Sequence, residues 1–229
     1  MLVRRADMPE GSARERRNAR AVRVYVARHG ETTWNAAGRY QGRLESELSA
    51  LGARQAEALA DAMAALNVRR TISSPLKRCV ETAQPSAARA NVAVETDERL
   101  IEIAHGTWEG RLRDEIAAND PERYRAWRHD PAHVRFVQGE SIGDVLERWR
   151  GFARAFRPDA PALVVTHDAV VRVALLDAAR RELDAFWEAR VENGAYAEFD
   201  VTTAGWSLLR ENVAGHLGAL RASIEGQAL

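Results

Sequence analysis

The sequence has one cysteine, one lysine and no surplus of charge of either sign. Cys79 alone excludes an internal disulfide and any cysteine-rich zinc site, and it fits a cytoplasmic setting. Thirty-three basic residues balance 33 acidic ones, which argues against a general nucleic-acid or anionic-membrane binder. No run approaches the roughly 18 apolar residues that a membrane helix needs. Because Lys77 is the sole lysine, 32 of the basic residues are arginine. Arginine holds phosphate and carboxylate through two parallel bonds, but abundance alone does not mark which of the 32 do so.

What is present reads as a soluble α/β protein. Residues 1–20 hold six arginines and three acids with no apolar stretch, so a secretory signal is not expected, and 1–21 reads as a poorly ordered tail. A single domain is expected over 22–229. Val22–Ala27 is β-branched and aromatic, as in a first strand. Residues 49–66 form a helix capped by Ser49, with Leu51, Leu59, Met63 and Leu66 at helical spacing. A short strand over 71–74 stops at Pro75, a helix follows over 76–90, and 92–95 is a third strand. Ser141 and Asp144 resemble a capping box that opens an amphipathic helix carrying Ile142, Val145, Leu146, Trp149, Phe152 and Phe156. Ala162–Thr166 is an uninterrupted apolar strand of the kind buried on both faces. A helix over 169–180 and closing strands over 195–200 and 206–210 complete the pattern. Alternating strands and helices imply a three-layer α/β/α sandwich with a mainly parallel sheet. The segment 105–140 follows no single period and reads as an inserted cap of short helices and loops.

In an open α/β sheet, ligands bind beyond the carboxyl ends of the strands. Here the first strand runs into Arg28-His29-Gly30-Glu31-Thr32. The second runs into Ser73-Ser74-Pro75, with Arg78 a turn further on, and the buried apolar strand ends at Thr166-His167. Two arginines and two histidines at one sheet edge suit a phosphoryl group, held by planar forks and attacked or stabilised by imidazole.

Arg28-His29-Gly30-Glu31-Thr32 with Trp34-Asn35 resembles the signature of the histidine phosphatase superfamily, which includes phosphoglycerate mutase-like proteins. Further blocks fall in the family's order. They are Gln41-Gly42 with Leu48-Ser49 and Gly52, Ser73 through Arg78 with Thr82-Ala83, Leu100-Ile101-Glu102 with Gly106 and Trp108-Glu109-Gly110, Gly139-Glu140-Ser141, and Val164 through His167. The resemblance covers about residues 22–216 and implies a phosphohistidine mechanism. His29 would be the nucleophile, Arg28 and Arg78 the phosphoryl clamp, His167 a stabiliser of the transferring group, and Glu102 the proton donor. Asn35, Gln41, Gly42, Arg43 and Asp168 would line the phosphate or substrate pocket. The resemblance implies neither metal nor cofactor, since cationic side chains carry the charge. Glu109 competes with Glu102 for the acid role. His129 and His133 mimic a metal pair, but Pro131 breaks the helix that their spacing needs.

One departure stands out. The family often has Gly-Gly after the second histidine, whereas this chain has Asp168-Ala169. The Asp168 carboxylate is expected to orient His167 or to point outward. The stretch Glu102–Gly110 resembles the phosphatase branch, which implies hydrolysis of a small phosphorylated metabolite. Mutase-type phosphoryl transfer and a catalytically weak phosphate binder are the alternatives. Asn212 and His216 match a tail element that packs near the pocket or serves structure alone. A homodimer is compatible with the sequence but not specified by it.

Overall fold

The computed structural model describes residues 21–223 and 226–228, so the tail expected over 1–21 lies outside the described residues apart from Ala21. Six strands form one sheet. In chain order they are β1 (Val22–Arg28), β2 (Arg70–Ser73), β3 (Val94–Thr96), β4 (Ala162–Thr166), β5 (Tyr196–Thr202) and β6 (Gly205–Val213). Across the sheet the order is β3-β2-β4-β1-β5-β6. The pairs β3/β2, β2/β4 and β4/β1 are parallel, while β5 runs antiparallel to β1 and to β6. The mainly parallel sheet is as expected.

Helices cover both faces, because successive side chains of a strand point to opposite sides. On one face, Val24 and Val26 of β1 and Val164 of β4 join a core with Val145, Trp149 and Phe152 of α6 (Ile142–Ala155) and Val170, Val173 and Leu176 of α7 (Asp168–Ala179). On the other, Tyr25, Ala27, Leu163 and Val165 meet Leu59 and Met63 of α2 (Ala50–Ala65) and Cys79 and Ala83 of α3 (Lys77–Ala90). Each large apolar side chain so buried contributes about 1.5–3 kcal/mol. Ser49 caps α2, and Ser141 with Asp144 forms the capping box of α6, both where the sequence placed them.

Two differences from expectation have local causes. The third strand starts at Val94 instead of 92, because Asn91 ends α3 in a left-handed conformation and the Val92 N–H still bonds back to Ala87. A four-residue helix, α1 (Thr33–Ala36), was not expected. It exists because Thr32 and Asn35 cap each other's backbone. Within 105–140 lie two short helices, α4 (Arg113–Asn119) and α5 (Pro121–His129), with single turns at Gly106–Trp108 and Pro131–His133. Among the described residues, no helix is long and apolar enough to cross a membrane.

Candidate active site

The adjacent strands β2, β4 and β1 end at the same edge, and backbone bonds hold their last residues in register. The His29 N–H donates to the Thr166 carbonyl at 2.9 Å, and the Ser74 N–H donates to Val165, also at 2.9 Å. The chain leaves β1 through Gly30, whose N–H donates to Thr82 Oγ1 at 3.0 Å. A Cβ on Gly30 would lie 2.5 Å from the Gly52 carbonyl oxygen, so the loop can lie against the start of α2 only without a side chain there.

Two imidazoles face each other. The His29 and His167 ring centroids are 5.2 Å apart, at an interplanar angle of 66°. His29 Nδ1 lies 2.7 Å from the Gly30 carbonyl, a geometry that puts the proton on Nδ1 and leaves the Nε2 lone pair free. Burial, then Arg78, then Arg28 hold the His29 pKa well below its ordinary value, so the ring stays neutral. Burial followed by Arg78 and His29 does the same to His167. His167 Nε2 is 2.7 Å from Ser74 Oγ and 3.3 Å from Cys79 Sγ. Burial pushes the Cys79 thiol well above its usual range, so it remains a small apolar neighbour.

Two guanidinium groups, both fully buried, flank the imidazoles. Arg28 donates from Nη1 to the Val191 carbonyl at 3.0 Å and from Nη2 to Gln227 Oε1 at 2.6 Å. Arg78 donates to the carbonyls of Gly42 at 2.7 Å and Leu44 at 2.9 Å, which pins the 41–46 loop to α3. That loop turns at Gly42, with φ +52°, where a Cβ would collide with the Glu109 side chain at 2.0 Å. Among the described residues, Arg28 Nε, Arg78 Nε and Asn35 Nδ2 are buried donors with no acceptor.

Glu102 is 4% exposed and accepts the Ile103 N–H at 2.9 Å. Burial, then the charge of Asp168, push its pKa up to about 7. Glu109 is employed differently, its Oε1 accepting the backbone N–H groups of His105 at 2.9 Å and Arg43 at 3.2 Å. Glu102 is therefore able to carry a proton near neutral pH. Asn35 and Gln41 are buried and joined through the Thr32 hydroxyl. Arg43 is exposed and paired with Glu140 at 2.9 Å, so it does not join the buried cations.

Asp168 corrects the expectation drawn from the sequence. It neither orients His167 nor points outward, but lies buried between Arg28, 3.1 Å away, and Arg172. Two buried guanidinium groups need a counter-charge more than a neutral imidazole does.

Several residues at the site escaped sequence reasoning. Asn193 donates to the His29 carbonyl at 3.2 Å, and Gln227 donates to Asn193 Oδ1 at 2.9 Å. Asn212 and His216, unlike these, were singled out in the sequence: Asn212 bonds Glu192, and His216 Nε2 lies 3.0 Å from the Gly194 carbonyl, so this tail element braces the loop behind β1. His105 is buried among the rings of Tyr40, Trp127 and Phe136, with no hydrogen-bond partner on either ring nitrogen, and burial lowers its pKa to about 3. The Asn193-Gly194 pair was the one visible signal, as a turn before β5.

The histidine pair considered for a metal is split, since α5 ends at His129 and Pro131 opens a separate turn. Among the described residues, one group has ligand atoms within 4.8 Å of one another: Asp130, His133 and Asp184, all exposed. It contains none of the strand-end residues.

Comparison with known proteins gives a consistent picture. The family model described as the histidine phosphatase superfamily (branch 1) matches residues 24–214. Phosphoserine phosphatase 1 of Hydrogenobacter thermophilus is 34% identical over 200 residues, covering 86% of this chain and 95% of that protein. Glucosyl-3-phosphoglycerate phosphatase of Mycobacterium tuberculosis is 35% identical over 175 residues, covering 72% of this chain and 77% of the other. Among solved structures, Bacillus stearothermophilus YhfR superposes with a TM-score of 0.82 at 27% identity, covering 86% of this chain and all of that one.

Proposed function

The chain belongs to branch 1 of the histidine phosphatase superfamily, and from that premise we propose that it hydrolyses the phosphate monoester of a small metabolite through a phosphohistidine on His29. The observation that carries the reading is the His29 ring itself, neutral, fixed by Gly30 and with Nε2 unencumbered beside two buried guanidinium groups.

In this reading the unpartnered Nε–H groups of Arg28 and Arg78 and the Asn35 amide receive the phosphoryl oxygens. Buried donors without acceptors cost about 1–3 kcal/mol each, and a bound anion removes that cost. His29 Nε2 attacks phosphorus as the bond to the ester oxygen breaks, and Glu102 gives its proton to that oxygen. Water then attacks phosphorus, returns its proton to Glu102, and the N–P bond breaks to release inorganic phosphate and the free imidazole. His167, held by Ser74, stabilises the transferring group from the far side of the rings. Gln41 and Gly42 shape the pocket wall and Asp168 balances its cations, while Arg43 stands at the mouth. Residues 22–229 act as one domain, with 105–140 as the cap over the strand ends. The single cysteine supports a cytoplasmic setting. Two relatives are named for phosphoserine and for glucosyl-3-phosphoglycerate, which puts small phosphorylated acids first among substrates to try.

The test is phosphate release from a panel of phosphoserine, phosphoglycerates, sugar phosphates and α-ribazole phosphate. Wild-type protein is expected to turn over at least one, and His29→Ala none. Turnover by His29→Ala at the wild-type rate removes the nucleophile assignment. Isomerised phosphoglycerate without free phosphate favours mutase-type transfer instead.

A further inference from the structure

Asp168 opens α7, and Arg172 stands one turn later on the same helix face. The Asp168 carboxylate bridges two cations, with Oδ2 3.1 Å from Arg28 Nη1 and Oδ1 bonded to Arg172 Nε. Arg172 is fixed in turn. Its Nη1 donates to the carbonyls of Phe186, at 3.1 Å, and Ala189, and its guanidinium lies 5.0 Å from the Trp187 ring centroid. All three charged side chains are buried. A continuous chain therefore runs from the turn over Leu183–Glu188 through Arg172 and Asp168 to Arg28.

We propose that Asp168 is a positioning residue for phosphoryl transfer, holding Arg28 in place through the Arg172 anchor and setting a fixed negative charge near the Glu102 carboxyl. This rests on the reading above, in which Arg28 binds the phosphoryl group and Glu102 donates the proton.

The geometry gives Asp168 two separable effects. As an anchor, its Oδ2 lies against Arg28 Nη1 as an ion-pair contact beside the hydrogen bonds from Arg28 to the Val191 carbonyl and Gln227, so Arg28 offers its unpartnered Nε–H in one orientation, and that preorganisation is what electrostatic stabilisation of a transition state requires. As a charge, it opposes ionisation of Glu102. The groups facing Glu102 come from several elements. Arg28 of β1 and Arg78 of α3 favour the carboxylate, as does the Ile103 N–H beside it. Arg148 of α6 donates to the Glu102 carbonyl at 3.4 Å but is paired with Glu140. Asp168 is the acid that acts in the opposite sense, together with burial. Without it, burial alone would oppose the two guanidinium groups and the Ile103 N–H, and Glu102 would give up its proton at a lower pH. A glycine here, common in the family, would supply neither effect.

The test uses full-length protein with Asp168→Asn, which keeps shape and removes charge, and Asp168→Glu, which restores it. Two readouts are followed: the Glu102 titration midpoint by isotope-edited NMR of the side-chain carboxyls, and the pH profile of kcat/KM on an alkyl phosphate and on p-nitrophenyl phosphate. Wild type is expected to titrate near pH 7. In Asp168→Asn the midpoint is expected to fall by about one pH unit or more. The descending limb for the alkyl substrate should move with it, KM should rise on both substrates, and Asp168→Glu should restore the limb. A folded Asp168→Asn protein with midpoint and limb unmoved overturns the proposal, whatever its overall rate. Should Asp168→Asn fail to fold, Asp168→Ser, smaller and uncharged, takes its place, with the same fall of midpoint and limb expected and an unmoved midpoint counting against the proposal. Absence of phosphate release from wild type on every substrate defeats the enzymatic reading separately, and the NMR midpoint still decides the role of Asp168.

Discussion

Glu102 and Glu109 show how one residue type takes two jobs at one site. Glu109 spends its carboxylate on the backbone N–H groups of His105 and Arg43, and Gly42 leaves it room. Glu102 has one local donor and a buried setting that lifts its pKa to about 7. Replacing Glu102 by Gln should therefore lower kcat/KM on an alkyl phosphate by about 10²–10⁴, the ordinary range for a general acid, while p-nitrophenyl phosphate loses much less. Steady-state kinetics on the paired substrates check this, and equal losses on both would point to a structural role. The pH sign follows from the same groups. Activity on the alkyl ester should fall above about pH 7 as Glu102 loses its proton. On the acid side it should persist below the usual histidine range, because His29 stays unprotonated there. At this scale His29, His167, Arg28 and Arg78 were legible because each lies at or shortly after a strand end in a recognisable run. The partner of Asp168 was not, since a buried ion pair depends on which cations the fold brings in.

Among elements, strands and capped helices were the most readable. β1 and β4 are β-branched or apolar runs that leave no other conformation competitive, and the Ser141–Asp144 box starts α6 as its spacing implies. The segment 105–140 resisted because its order is tertiary. His105, Trp108 and Trp127 are fixed by ring contacts with Tyr40, Phe136 and Trp187 rather than by any repeat along the chain. Two substitutions separate helix stability from site geometry. Ser141→Ala should cost about 1 kcal/mol by removing the N-cap bond, with little change in kcat/KM. Gly52→Ala should cost more and also reduce activity, because its Cβ would sit 1.9 Å from the Glu31 carbonyl and push the His29 loop away. Thermal unfolding with parallel kinetics distinguishes the two, and an active, stable Gly52→Ala protein would contradict the close approach.

Over the whole molecule, a zero net charge conceals a buried basic centre. Arg28, Arg78 and Arg172 converge there against Asp168 and Glu102, while many of the other described arginines are tied in ion pairs nearer the surface, such as Arg70–Glu95 and Arg89–Glu57. Contributions from far along the chain complete the centre. Gln227 reaches Arg28 from 199 positions away, and Asn193 and Glu192 come from the loop before β5. No local pattern announces such contacts, because they exist only once β5 and β6 have closed the sheet beside β1. The family resemblance marked the strand-end residues without them, and they show how the fold holds those residues. In the proposed reaction, phosphate passes through His29. Rapid acid-free quenching of wild-type protein during turnover, followed by peptide mass spectrometry, should find one phosphoryl group on the peptide containing His29 and none in His29→Ala. A phosphoryl group on His167 instead, or full turnover with no phosphorylated histidine at any quench time, would contradict the account.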